Sequence, residues 1–206
     1  MKNKTLHLFV GPSASGKTTV ANELEGMGCY HMFENGSLKM AYLGKQVRSY
    51  TTRPPRYENE DGHIFVTDEE FNKLTNIVAY TTYNNYRYCT TKEQLDEVNM
   101  YVVDIDGVHT LLDNYITERP IKIWYFDASI NTRIHRMLDR GDSDIAIISR
   151  LLNDEQYNWY DRLRILVDYY QTFKNKDNID LRSIDADEQL HEVVCKIKGY
   201  MEEWYL

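Results

Sequence analysis

The sequence predicts an α/β protein with a parallel sheet flanked by helices. Three observations carry this. Short apolar runs alternate with helix-like stretches, and a glycine-rich turn joins the first run to the first helix. A piece rich in β-formers, roughly residues 46–92, interrupts that rhythm and reads as an insert.

The elements follow in order. "TLHLFV" (5–10) is a short apolar run ending at Gly11, a buried strand. "TVANELEGMG" is helix-like and stops at glycine. "SLKMAYLG" (37–44) predicts a short helix closed by Gly44. Residues 45–66 hold Pro54, Pro55 and the acidic "ENEDG", with short extended pieces around them. "TDEEFNKL" (67–74) opens on Thr67 with Glu70 three residues on, a capping-box pattern. "IVAYTTYNNYRYCT" (77–90) predicts β structure with a turn near Asn84 and Asn85. "TKEQLDEV" (91–98) is a capped helix. "MYVVDID" (100–106) and "IKIWYFD" (121–127) are two more buried strands, the first closed by acids. "SINTRIHRMLDR" (129–140) is a helix carrying arginines, and 143–173 reads as one long helical stretch. "NIDLRSID" gives a last short strand, and an amphipathic helix ends the chain.

Composition narrows the function classes. A chain of 206 residues suits one domain with a sizeable core. A net charge of -8 argues against a broad nucleic-acid or anionic-membrane surface, so any anion site is local. No apolar run approaches the roughly 20 residues of a membrane span, and the basic start lacks a signal-peptide core. Cys29, Cys89 and Cys195 form no CxxC pair and read as reduced structural thiols. The expectation is a cytoplasmic protein, monomer or homodimer, whose partners are small molecules rather than nucleic acid or membrane. Of the seventeen tyrosines, Tyr157, Tyr160, Tyr169 and Tyr170 read as packing residues of the long helix. Trp124 reads as core, and Trp159 and Trp204 as packing residues. Tyr86 and Tyr88 alternate with Arg87 and so share one face of a strand.

Gly11-Pro12-Ser13-Ala14-Ser15-Gly16-Lys17-Thr18 matches G-x-x-x-x-G-K-[ST] in full, after a strand and opening a helix. Its backbone N–H groups, from Gly11 to Thr19, can cradle phosphate oxygens at a helix N-terminus. Lys17 would bridge the β- and γ-phosphates of ATP, and the Thr18 hydroxyl would ligate Mg²⁺. A second acid near the magnesium is expected at a strand end. Asp104 is preferred over Asp106 because it follows the apolar residues directly. A bound donor needs an acceptor held in line with it. Arg53 and Arg56 could clamp an acceptor's own phosphate, since guanidinium matches phosphate through paired donors.

"GPSASGKTT", "SYTTRPPR", "FVTDEEF", "NYRYCTTKEQLDEV", "YVVDIDG" and "RMLDRG…SRL" together resemble guanylate kinases in order and spacing, over roughly residues 5–155. The Ser-x-Thr-Thr-Arg-x-x-Arg element is more specific than the P-loop alone. The resemblance implies a P-loop core (1–45 and 93–206), a nucleoside-monophosphate insert (46–92) and a short lid (139–149). It implies transfer of the ATP γ-phosphate to a nucleoside monophosphate with Mg²⁺. It assigns Ser49, Arg53, Arg56 and Tyr88 to the acceptor phosphate and Thr90 to the base. It places Asp104 and Asp106 near magnesium and acceptor, and Arg136, Arg140 and Arg150 in the lid over the donor phosphates. The Arg140–Arg150 spacing is slightly short for the family.

Three departures stand out. His63 holds the place of the family's second phosphate-binding tyrosine, in a shorter loop, where it could still donate to phosphate. Ala79 stands where the family's guanine-reading glutamate belongs, and residues 71–92 contain no Asp or Glu. Losing such a partner can cost on the order of 10⁴-fold discrimination. Asp106, Thr90, Asn84 or Asn85 could read a base instead. "SIDADEQL" replaces the family's "VND" at the donor adenine. GMP or dGMP is the leading acceptor. Another (deoxy)nucleoside monophosphate competes with it, as does ribose 1,5-bisphosphate, whose kinase family "ENEDGHIFV" also resembles. A reading of another class is a non-catalytic guanylate-kinase-like binding module, which a complete P-loop disfavours.

Overall fold

The computed structural model describes residues 5–32, 38–55, 58–83, 85–155, 158–174 and 176–202. Strand β1 (Leu6–Val10) passes through the glycine-rich turn into α1 (Lys17–Gly26). A hairpin follows, β2 (Gly28–Met32) and β3 (Leu38–Tyr42), antiparallel with Gly28 opposite Tyr42. Next come β4 (Ser49–Thr51), β5 (His63–Phe65), α2 (Asp68–Phe71), β6 (Ile77–Tyr83), β7 (Tyr86–Thr91) and α3 (Lys92–Asp96). The remainder runs β8 (Met100–Val102), α4 (Ile105–Asn114), β9 (Ile121–Asp127), α5 (Ile130–Asp139) and α6 (Asp144–Glu155). It ends with α7 (Trp159–Lys174), β10 (Ile179–Asp185) and α8 (Leu190–Glu202).

Three expectations about elements change. Residues 38–42 form a strand, where a helix was expected over 37–44. A window of that length cannot sustain a helix without tertiary support, and "GCYHM" offers it a strand partner. The strand expected over 100–106 stops at Val102, because Asp104 caps an unforeseen helix: its carboxylate accepts the Gly107 N–H at 2.7 Å. The long helical stretch is two helices, α6 and α7, not one. The capping box at Thr67/Glu70 holds, and the capped helix expected over 91–98 starts at Thr91, where Gln94 completes a second box. Asn85 takes φ 63, a left-handed turn conformation. Asn84, Tyr157 and Trp204 lie outside the described residues.

The main sheet has the order β10-β9-β1-β8, and every pairing in it is parallel. Its central strands β1 and β9 are almost wholly buried because both faces are covered, whereas the edge strand β10 carries Asp180, Arg182 and Asp185. Leu6, Leu8 and Val10 of β1 pack with α4 and α7 on one face. Phe9 packs with α1 and α8 on the other, beside Trp124 and Phe126 of β9. Parallel strands place all their C-terminal ends along one edge. Gly11 follows β1 and Asp104 follows its neighbour β8, so the phosphate-loop motif and the acid share that edge.

A second sheet, β5-β4-β7-β6, is mixed: β4 and β5 run parallel, and the other pairs antiparallel. It is anchored on α4, where Thr110 accepts the Tyr80 N–H at 2.9 Å and donates to the Tyr80 carbonyl at 3.1 Å. On β7, Arg87 turns to α2 and stacks on Phe71, 4.4 Å from the ring centre. Among the described residues no helix is long and apolar enough to cross a membrane.

Candidate active site

The turn after β1 bends in a way few side chains allow. Gly11 has φ 150, and a Cβ there would lie 2.7 Å from the Phe126 carbonyl oxygen. Ala14 (φ 60) and Gly16 (φ 98) are left-handed. Gly16 caps α1 without a side-chain hydrogen bond, so the first N–H groups of the helix are left for a ligand. Lys17 folds back into the loop. Its Nζ donates to the carbonyls of Gly11 (2.7 Å) and Pro12 (2.6 Å) and to Ser15 Oγ (3.2 Å). Burial lowers its pKa to about 8, opposed by the negative charges of Asp154 and Asp104.

Lys17 stands between two clefts. The first, about 440 Å³, has Gly11 and Ser13 of the loop on one side, with Ser49, His63, Tyr88 and Asp104 among its other walls. The second, about 530 Å³, is walled by Ser15–Thr19, Arg136, Arg140 and the segment after β10. Lys17 lines both.

In the first cleft, Ser49 Oγ on β4 lies 2.9 Å from His63 Nδ1 on the adjacent β5. The His63 ring meets Tyr88 of β7 edge-on, centroids 5.6 Å apart. Three separate strands therefore bring Ser49, His63 and Tyr88 together. Asp104 accepts from Thr81 Oγ1 at 2.8 Å as well as from Gly107. Burial pushes its carboxyl above the ordinary range, against the pull of those hydrogen bonds and of Lys17. Asp106 lines the same cleft from the first turn of α4, 3.5 Å from Arg162.

Other expected residues sit elsewhere. Arg53 is buried and does not line the cleft. Its guanidinium makes a two-pronged ion pair with Glu60 (2.7 and 3.1 Å) and lies over Phe65, 5.2 Å from the ring centre. It also interacts with Tyr88, so it backs the cleft wall. Arg56 lies outside the described residues. Thr90 is fully buried beside Tyr101, behind the wall. Ala79 is fully buried across from Thr90, also off the cleft.

In the second cleft, Arg136 docks on the loop's outer side, donating to Ala14 O (3.4 Å) and Ala186 O (2.7 Å). Arg140 pairs with Asp142. Arg150 reaches the same carboxylate at 3.7 Å and lines neither cleft. Thr18 and Thr19 are exposed at the mouth.

The oxygen donors here are of the kind a magnesium ion takes. Among the described residues no three acids, histidines or cysteines gather as a metal cage. Magnesium needs none: it takes one or two protein oxygens and fills its shell with water and phosphate. The Thr18 hydroxyl and the Asp104 carboxylate, which keeps spare lone pairs, supply hard oxygen donors on either side of Lys17.

Sequence reasoning passed over Glu60, Thr81, Arg133 and Asp154. Each acts through a side-chain partner seven or more residues away, with no local pattern to mark it.

No family model matches the chain, and no curated protein matches it in sequence. Among solved structures it is similar to the crystal structure of guanylate kinase from Anaplasma phagocytophilum, at 14% identity and a TM-score of 0.51. The match covers 100% of this chain and 88% of that one. At that identity the likeness is one of fold. The chain has a mixed α/β, P-loop-kinase fold like that enzyme's, a four-stranded parallel sheet flanked by helices.

Proposed function

We propose that this protein transfers the γ-phosphate of ATP to a nucleoside monophosphate, with GMP or dGMP as the leading acceptor. The observation that carries the reading is Lys17, which lines both clefts and so stands where a phosphoryl group would cross between them. The complete phosphate-loop motif and the guanylate-kinase-like fold support it.

In this reading the second cleft takes the donor. The uncapped N-terminus of α1 binds its phosphates, with Arg136 and Arg140 beside them. The first cleft takes the acceptor. Ser49, His63 and Tyr88 hold its phosphate, with Arg53 behind them. Thr18 and Asp104 would hold magnesium, which when bound neutralises developing charge on the phosphates. Lys17 exchanges its carbonyl partners for phosphate oxygens. The protein contributes position and charge rather than covalent chemistry. Residues 46–92 act as the acceptor insert and 139–149 as the lid.

Ala79 favours a second reading of the base. With no carboxylate at that place, guanine would have to be read by Asp106 or by the hydroxyls of Thr81 and Thr82, which would serve other bases as well.

The test is a coupled ADP-release assay with ATP, Mg²⁺, all ribo- and deoxyribonucleoside monophosphates, and ribose 1,5-bisphosphate. Turnover on GMP or dGMP alone supports the leading acceptor. Turnover on another nucleotide supports the second reading. ATP binding without turnover on any acceptor overturns both and favours a binding module.

A further inference from the structure

Two buried charges, one of them on the wall of the first cleft, grip one residue of the phosphate loop. Asp154, near the end of α6, accepts the Ser13 N–H at 2.9 Å through Oδ2. Arg133, on α5, donates Nε–H to the Ser13 carbonyl at 2.8 Å. The two side chains also pair with each other, through Arg133 Nη2 and the same Asp154 oxygen. One ion pair, drawn from two helices, therefore holds both the donor and the acceptor of a single loop residue.

Stability alone gives no reason to prefer this arrangement. A buried ion pair is often matched by apolar groups of similar volume, because the cost of desolvation offsets the attraction. What charged groups add is direction, and here both point at Ser13. The next residue, Ala14, sits at φ 60, which L side chains disfavour. Hydrogen bonds brace that bend on both sides: Ser13 by the ion pair, and the Ala14 carbonyl by Arg136 at 3.4 Å.

Location gives the grip its meaning. Ser13 lines the first cleft, whereas Ala14 and Ser15 line the second. The clamped residue therefore stands at the border where a phosphoryl group would cross. Deeper in the loop, Lys17 and Thr18 are held by α1 itself.

We propose that Asp154 and Arg133 are positioning residues that set the mouth of the phosphate loop for the transferring γ-phosphate. The inference rests on the donor and acceptor assignment above. The clamp acts on the triphosphate's outer end and leaves the diphosphate's contacts alone. Charge alone predicts the opposite sign, since removing a carboxylate beside an anion site tightens anion binding.

Calorimetry with a non-hydrolysable ATP analogue and with ADP separates these outcomes, using Asp154→Asn, Arg133→Lys and Arg133→Met. Each loses part of the clamp. We expect Asp154→Asn to weaken analogue binding about tenfold and to change ADP binding little. Arg133→Lys keeps the charge but not the planar fork, and should fall between wild type and Arg133→Met. Turnover should drop up to about 10²-fold.

Tighter analogue binding in Asp154→Asn would overturn the proposal. So would equal losses for ADP and analogue alongside a lowered Tm, the mark of a purely structural pair. If Asp154→Asn does not fold, the ranking of the two Arg133 variants decides. If the wild type phosphorylates no acceptor, the kinase reading fails, and the ratio of analogue to ADP affinity still judges the clamp.

Discussion

The two clefts that meet at Lys17 are built on different principles. The second is framed largely by backbone: an uncapped helix N-terminus, left-handed loop residues and carbonyls that hold Arg136. The first is framed by side chains from separate strands, Ser49, His63 and Tyr88, with Asp104 from the start of α4. Backbone chemistry follows from chain geometry and tolerates sequence change around it. Side-chain chemistry depends on which residues a distant pairing brings together, and one replacement on the cleft wall can change what is recognised. On the proposed reading the donor side is thus generic, and the acceptor side carries the specificity.

The variant with the largest expected effect cuts both sides at once. Lys17→Ala should lower turnover by about 10³-fold or more in a coupled assay, because it removes the one charge both clefts share. A much smaller loss would mean the clefts do not meet at this residue.

Arg53→Ala separates them. It should raise the acceptor KM by about tenfold or more and leave ATP affinity nearly intact. It also strips Glu60 of a buried ion pair, so thermal or urea unfolding should show a loss of about 3 kcal/mol. Equal effects on donor and acceptor would blur the division between clefts.

The pH dependence sharpens the donor side. Burial holds Lys17 at a pKa of about 8, below its ordinary value. Phosphate favours the charged form, so binding above that pH must draw in a proton. ATP affinity should fall as pH rises above about 8, by up to tenfold per pH unit. Calorimetry in buffers of different ionisation heat would detect the proton uptake. The same depressed pKa makes the protein gain stability as pH rises from about 8 towards the ordinary lysine value. His7 acts in the acid range. It is held neutral by burial, with a pKa of about 3, so its contribution is complete above the ordinary histidine range and is lost on acidification.

The smallest expected effect belongs to His63→Asn. An amide can replace the ring's hydrogen bond to Ser49 but not its edge contact with Tyr88. The acceptor KM should rise only a few-fold, about threefold, and the donor KM should stay put. Steady-state kinetics with either substrate varied would show it.

The sequence was most legible where local chemistry decides. The phosphate loop, the capping box at Thr67, the helix cap at Thr91 and the doubly buried strands β1 and β9 follow from spacing and residue type alone. Strand β3 was misread as a helix because a short window fits helix or strand until its partner is known. Helix α4 was missed because its cap, Asp104, also fits the role of a strand-end acid. The Asp154–Arg133 pair left no trace in the sequence, since it depends on how two helices pack, and the Glu60–Arg53 pair depends on how the loop between β4 and β5 folds back on itself. Arg53 shows the limit well: its motif marks it as important, but only the fold shows it engaged by a carboxylate behind the cleft.

The central claim is that donor and acceptor occupy opposite sides of Lys17 and exchange one phosphoryl group. Phosphorus NMR of the protein with ATP, Mg²⁺ and each nucleoside monophosphate in turn tests it most directly. The account predicts that, for at least one acceptor, ADP and the acceptor's diphosphate grow together in equal amounts, and that Lys17→Ala abolishes both. ADP growing with inorganic phosphate instead, whatever acceptor is present, would contradict it.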